Sequence, residues 1–208
     1  MGKVEENKQQ KLDALYESAY ELFIDKGLEK TSIHDIVQKA GVAKGTFYLY
    51  FKDKYEIRDK LIARTAATLF NAACNALKET TITELEDKII FIVDYVLEEM
   101  KDNKPVVRFI SKNLSWGVFR HAITKQNEEE NVDLLGIFYD IVKESPDITL
   151  RAPETMLFII IELASSTSYS TILEDDPISY DELRPYLNES VRAIIRNHIV
   201  SSHQGSDK

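Results

Sequence analysis

Between Thr31 and Lys54 the sequence gathers hydroxyls, ammonium groups, a glycine and outward aromatics on a short helical stretch, a set suited to gripping DNA. With Phe47 and Phe51 turned inward at i, i+4, a helix wheel points Gly45 and Leu49 away from the core, flanked by Thr46, Tyr48 and Lys52. A helix that reads a major groove needs its first turn against the base edges and a position without a side chain where backbone meets duplex. It also needs polar groups for phosphates and bases, and an apolar group for thymine methyls. Lys44, Gly45, Thr46, Tyr48 and Leu49 supply those parts, and His34, one turn into the preceding helix beside Ser32, is placed for a phosphate.

Catalytic chemistry is thin by comparison. The chain has no glycine-rich phosphate loop, no Gly-x-Ser-x-Gly elbow, no His-Glu-x-x-His and no paired cysteines, so neither a metal nor a cofactor is expected. Glu174-Asp175-Asp176 resembles half of a magnesium-diphosphate site, but Pro177 follows at once and no second acidic cluster lies at helical spacing; it reads as an exposed turn. Glu128, Glu129 and Glu130 read as a solvated helix start, and His121 as a favourable charge near a helix end. An all-helical enzyme or carrier with an incidental helix-turn-helix is the rival class; steeply salt-dependent retention on DNA separates the two.

The elements that position the reading face follow from periodicity. Ile33, Ile36, Val37 and Ala40 make one apolar stripe, Ser32 and Asp35 cap its start, Gly41 stops it, and Val42 plugs the turn. Before it, Leu12, Leu15, Tyr16, Ala19, Leu22 and Phe23 mark a helix ending at Gly27, with residues 1–10 expected to fray. After it, Asp53 and Glu56 cap a long connecting helix whose stripe runs from Ile57 to Leu77.

Ala-Gly-Val at 40–42, Gly-Thr-Phe-Tyr at 45–48, Tyr-Phe at 50–51 and Lys54 together resemble the DNA-binding domain of the TetR family of bacterial one-component repressors. The resemblance covers about the first quarter of the chain. It implies an all-α protein, with a three-helix helix-turn-helix domain (1–55) joined by a long helix to a helical ligand-binding and dimerisation domain (56–200); residues 201–208 are expected to be a disordered tail. It adds Tyr50 and Lys54 to the DNA contacts, Lys54 as a phosphate ligand whose loss lowers the salt slope by about one. One departure is Ala43, where the family often has a serine able to cap the reading helix or touch phosphate.

The rest of the chain reads as helices. Thr83 and Glu86 form a capping-box pattern before one, Pro105 opens another, Ser145-Pro146 stops a third, and Met156 to Ala164 is apolar on every side and expected to be buried on every side. Pro185 is expected to start the last helix near Arg184. By the resemblance, the last two long helices form a four-helix bundle across a two-fold axis, with Phe158, Leu187, Val191, Ile194, Ile195 and His198 at the interface. Aromatics with a few polar neighbours suggest a pocket for a small apolar or amphipathic organic effector: Phe91, Tyr95, Phe109, Asn113, Trp116, Phe138, Tyr139, Ser165 and Tyr169. The expected partners are a palindromic DNA operator, that effector and a second copy of the chain.

Charge divides along the chain in the same way. Residues 1–60 carry eleven basic and eleven acidic side chains against 26 and 35 in all 208, so the net −9 lies wholly beyond the helix-turn-helix. One cysteine excludes an intrachain disulfide, and an apolar run of only six residues before Glu162 falls short of a membrane span; a cytoplasmic protein is expected.

Overall fold

Polar side chains set the start of three of the helices. In the computed structural model, which describes residues 2–111 and 134–200, the Asp35 amide donates to Ser32 Oγ at 3.1 Å and the Ser32 amide donates to Asp35 Oδ2 at 3.0 Å, closing the capping box that opens α2 (Ile33–Lys39). Asp53 accepts from the amides of Tyr55 and Glu56 to start α4 (Lys54–Lys78). Ser179 and Glu182 do the same for the last helix, Tyr180–His198. Thr83 caps nothing: α5 (Leu85–Asp102) starts from Glu84 without a side-chain cap, because Glu86 is engaged with Arg192 and Arg196.

The first helix, α1, runs Lys3–Lys26, so residues 3–10 are helical rather than frayed. Extending a formed helix costs little, and the Tyr50 hydroxyl donates to the Lys8 carbonyl at 3.2 Å, tying the first turns of α1 to the reading helix α3 (Lys44–Tyr50). Gly27 ends α1 at φ 80°, ψ 158°, and Gly41 ends the turn after α2 at φ 65°, both in space that side chains disfavour. α1, α2, α3 and the start of α4 enclose one core around Leu15, Ile36, Phe47, Phe51, Ile57 and Ile62.

A second core lies in the body, among α5, α6 (Lys104–Ser111), α7 (Leu134–Lys143), α8 (Pro153–Leu173), α9 (Tyr180–His198) and the far half of α4. α9 docks on α5 through a ladder of charge: Arg184 to Asp94 and Glu98, Arg192 to Glu86 and Asp87, Arg196 to Glu86, all within 3.1 Å. Four carboxylates of α5 are therefore committed to holding α9 in place. α9 starts four residues before Arg184 and carries Pro185 inside it. The missing amide costs one bond to the Asp181 carbonyl, offset by the Ser179 cap, the buried Tyr180 and the Arg184 bridges. Ile199 leaves the helical stripe to pair with Leu150 as part of a two-residue antiparallel ladder, β1 (Thr149–Leu150) with β2 (Ile199–Val200). The Glu174-Asp175-Asp176 triplet is an exposed turn after α8. By length and composition α8 could cross a bilayer, yet Met156, Ile160 and Ala164 are buried against the body while Phe158 and Ile159 face outward, so it is not covered on every side within one chain.

Candidate nucleic-acid interface and the apolar cavity behind it

Phe47 and Phe51 anchor α3, with Tyr16 edge-on to Phe51 at 5.3 Å. On the opposite side Leu49 is 81% and Tyr48 52% exposed, and Lys44 and Gly45 lie in solvent beside them. Gly45 has no positive φ, and a Cβ built on it meets nothing within 4 Å. The fold itself therefore places no demand for glycine there. Ser32 and His34 are exposed at the start of α2, although the Ser32 hydroxyl is already engaged with Asp35. That bonding, first from the Ser32 amide and then from its hydroxyl, holds the Asp35 carboxyl below its usual value.

Two residues of the expected contact set turn back toward the protein. The Lys54 ammonium donates to the carbonyls of Leu28 at 2.9 Å, Thr31 at 3.2 Å and Glu29 at 3.3 Å, so its three hydrogens pin the turn between α1 and α2. Tyr50 is occupied with Lys8. Thr46 is half-buried in a groove shared with Leu49 and, across from them, Val4, Asn7, Lys8 and Lys11 of α1. Those α1 residues escaped the sequence reading because the segment looked frayed; their i, i+3, i+4, i+7 spacing was the available signal. Lys39 is held by Glu21 at 2.5 Å, whereas Lys44 and Lys52 have no ion pair among the described residues.

Behind this face, α6 belongs to both cores. Val106 and Phe109 are buried in the helix-turn-helix core, Phe109 stacked on Phe23 at 6.0 Å and edge-on to Tyr20 at 5.7 Å, while Val107 between them is buried in the body. Phe109 is thus a joint between the two cores and not part of a body pocket.

The body holds a partly open cavity of about 140 Å³ lined almost wholly by apolar side chains. Ile89, Val93, Val96 and Met100 of α5 form one wall, Leu69 and Phe70 of α4 another, and Leu157, Ile160 and Ala164 of α8 a third. Of the expected ligand residues that the structure describes, Phe138 and Ser165 line it. Phe91, Tyr95, Tyr139 and Tyr169 pack around the body core without lining the cavity, and the Tyr139 hydroxyl donates to Glu154 at the surface. Asn113 and Trp116 lie outside the described residues. The aliphatic lining was legible as stripes on α4 and α5, but a stripe does not distinguish a packed core from one with a void.

The expected interface residues also divide. Leu187, Val191 and Ile195 are sealed inside their own chain, because that stripe of α9 faces α5 and α8. Ile194 is half-buried, and His198 is half-buried with its ring bonded to the Ile194 carbonyl. The apolar groups left on the outer face of α8 and α9 are Phe158, Ile159 and Tyr186, 37%, 38% and 67% exposed.

Comparison with known proteins agrees with this geometry. Residues 15–61, from α1 through the reading helix into α4, match the family model described as bacterial regulatory proteins, tetR family. The transcriptional regulator YvdT of Bacillus subtilis, also of the helix-turn-helix type, is 39% identical, over 55% of this chain and 71% of its own length. The chain belongs to the TetR family. A helix-turn-helix-type regulator of Staphylococcus aureus is 27% identical over 82% of this chain and 86% of its own. Among solved structures the fold matches a TetR-family regulator of Streptomyces coelicolor (TM-score 0.61, 16% identity, 91% and 98% of the two chains). It also matches the regulator FadR of B. subtilis in complex with stearoyl-CoA (TM-score 0.55, 18% identity, 88% and 99%). Like its relatives, this TetR-family protein is a DNA-binding transcriptional regulator and not an enzyme.

Proposed function

We propose that this regulator is a repressor that binds a palindromic operator as a homodimer and leaves it when an apolar molecule fills the body cavity. The observation that carries this reading is the lining of that cavity by Leu69 and Phe70 on the far half of α4, whose first residue follows the reading helix by four positions. A 25-residue helix is a rod of about 37 Å, so displacement at one end moves the other. The cavity at rest is the size of one that holds a benzene-sized group, about 150 Å³. A larger ligand must part α4, α5 and α8, and α6 passes the strain on through Phe109. Because the described lining offers one hydroxyl, Ser165, among apolar groups, the buried portion of the ligand is a hydrocarbon, such as an acyl chain, with any polar head outside. FadR of B. subtilis, bound to stearoyl-CoA, is a precedent of the same fold.

The DNA-binding module is 1–55 with the first turns of α4 added, since Ile57, Leu61 and Ile62 belong to its core. Lys44, Gly45, Thr46, Tyr48 and Leu49 face the major groove, with Ser32 and His34 toward the phosphates. Pairing through Phe158, Ile159 and Tyr186 buries the apolar groups that one chain leaves exposed, and gives the two readers that a palindrome requires.

Selection of bound sequences from random DNA tests the reading: enrichment of an inverted repeat is expected, and acyl chains or alkanols added to the complex should release it. Enrichment of a single asymmetric site, or none, would overturn it.

A further inference from the structure

Where α6 enters the helix-turn-helix core it leaves a second hollow, of about 280 Å³, separate from the body cavity. Its apolar walls are Phe23, Ile24 and Leu28 of α1 and the turn after it, with Pro105 and Phe109 of α6. Its charged lining consists of two guanidinium groups, Arg58 from α4 and Arg108 from α6, with no carboxylate in the wall. Arg58 gives Nε and Nη2 to Asp59 and lies over the Tyr55 ring at 5.4 Å, which leaves Nη1 unspent among the described hydrogen bonds. Arg108 is exposed and has no ion pair among the described residues. One neighbouring carboxylate against two guanidiniums leaves the hollow positive.

We propose that this hollow is a binding site for an acidic amphiphile, a carboxylate or phosphate monoester on a short apolar tail, with the anion between Arg58 and Arg108 and the tail against Phe23, Ile24 and Leu28. Guanidinium forks match the oxygens of either anion, and the volume lies just below the usual range of small-molecule pockets, so a short tail fits. The walls come from α1 and α4 on one side and α6 on the other. An occupant therefore straddles the same joint that Phe109 makes and holds α6 against the reading module in the arrangement seen here. Its effect on operator affinity rests on the repressor reading above, but the binding itself does not.

Methyl-resolved NMR of the full chain separates this site from the body cavity, since Ile24 and Leu28 report one and Ile89 and Ile160 the other. Octyl phosphate and octanoate are expected to shift the Ile24 and Leu28 methyls saturably. Octanol and inorganic phosphate, each lacking one half of the recognition, should bind there at least tenfold more weakly. Arg108→Gln, an exposed substitution, should weaken octyl phosphate at Ile24 about tenfold while leaving any response at Ile160 unchanged, and Arg58→Gln should do likewise. The proposal is overturned if octyl phosphate moves only the body methyls, if octanol matches it at Ile24, or if neither arginine variant changes the Ile24 response. None of these outcomes depends on DNA, so failure here would leave the repressor reading standing.

Discussion

Gly45→Ala is expected to make this protein more stable and worse at binding DNA, and the opposite signs are what give the experiment its force. A glycine within a helix costs about 0.5–1 kcal/mol relative to alanine through the freedom of the unfolded chain. Near the end of a seven-residue helix the lower part of that range applies. Nothing offsets the gain, because an added Cβ touches no protein atom within 4 Å and the backbone has no positive φ. In a domain of this size about 0.5 kcal/mol is a rise of about 1–2 °C in Tm. On the operator the same methyl stands where α3 meets the duplex, and a misfit comparable to one wrong base pair costs about 1–3 kcal/mol. A dimer meets it twice, so affinity should fall tenfold or more, and Gly45→Leu should abolish specific binding. Gly41→Ala is the control: its φ of 65° makes alanine costly there, by about 1–2 kcal/mol. Urea melts and fluorescence anisotropy on the selected operator measure both quantities. A destabilised Gly45→Ala protein, or one with unchanged affinity, would refute the argument that this glycine serves a partner and not the fold.

Lys54→Met should cost about 1–3 kcal/mol in denaturant melts, since three carbonyls lose a charged donor. Because that ammonium is saturated internally, the salt slope of DNA binding should fall by less than one per half-site; a full unit would restore the phosphate role. Phe109→Ala, which empties the space between Tyr20 and Phe23, should destabilise by about 3–5 kcal/mol. It should also shrink the ligand-induced change in operator affinity while the ligand still binds the cavity; undiminished release would place the coupling elsewhere. Tyr186→Glu combined with Ile159→Glu should give monomers in sedimentation without loss of helicity, and a persistent dimer would move the interface to another face. The Asp35 carboxyl is held low by Ser32, so its contribution to stability is present above the unfolded value of about 3.8 and is lost as pH falls from there through the lower folded value. Ser32→Ala keeps the amide bond and removes the hydroxyl, so it should raise the Asp35 midpoint part of the way in an NMR titration and soften that acid limb; an unmoved midpoint would assign the whole shift to the amide.

Local chemistry was legible in the sequence where one stretch of chain contains its own partners. The capping of α2 by Ser32 and Asp35, the stop at Gly41, and the inward Phe47 and Phe51 with Leu49 outward are all consequences of spacing within a few residues. They are settled before any distant segment is placed. What the sequence could not decide was which side of a stripe meets which neighbour. Leu187, Val191 and Ile195 are as apolar as an interface requires, but whether they cover a second copy or α5 and α8 of their own chain depends on where α9 docks. That docking is set by arginines and acids 86 to 110 residues apart. Phe109 belongs to the helix-turn-helix core for the same reason, since only the path of α6 brings it between Tyr20 and Phe23. Lys54 and Tyr50 carry the same lesson for polar groups: their types suit phosphate, but carbonyls of Leu28 and Lys8, supplied by segments far away in the chain, claim their hydrogens first. The cavity is the extreme case, because a void is a property of how four helices fail to close on one another, and no single stretch of residues contains it.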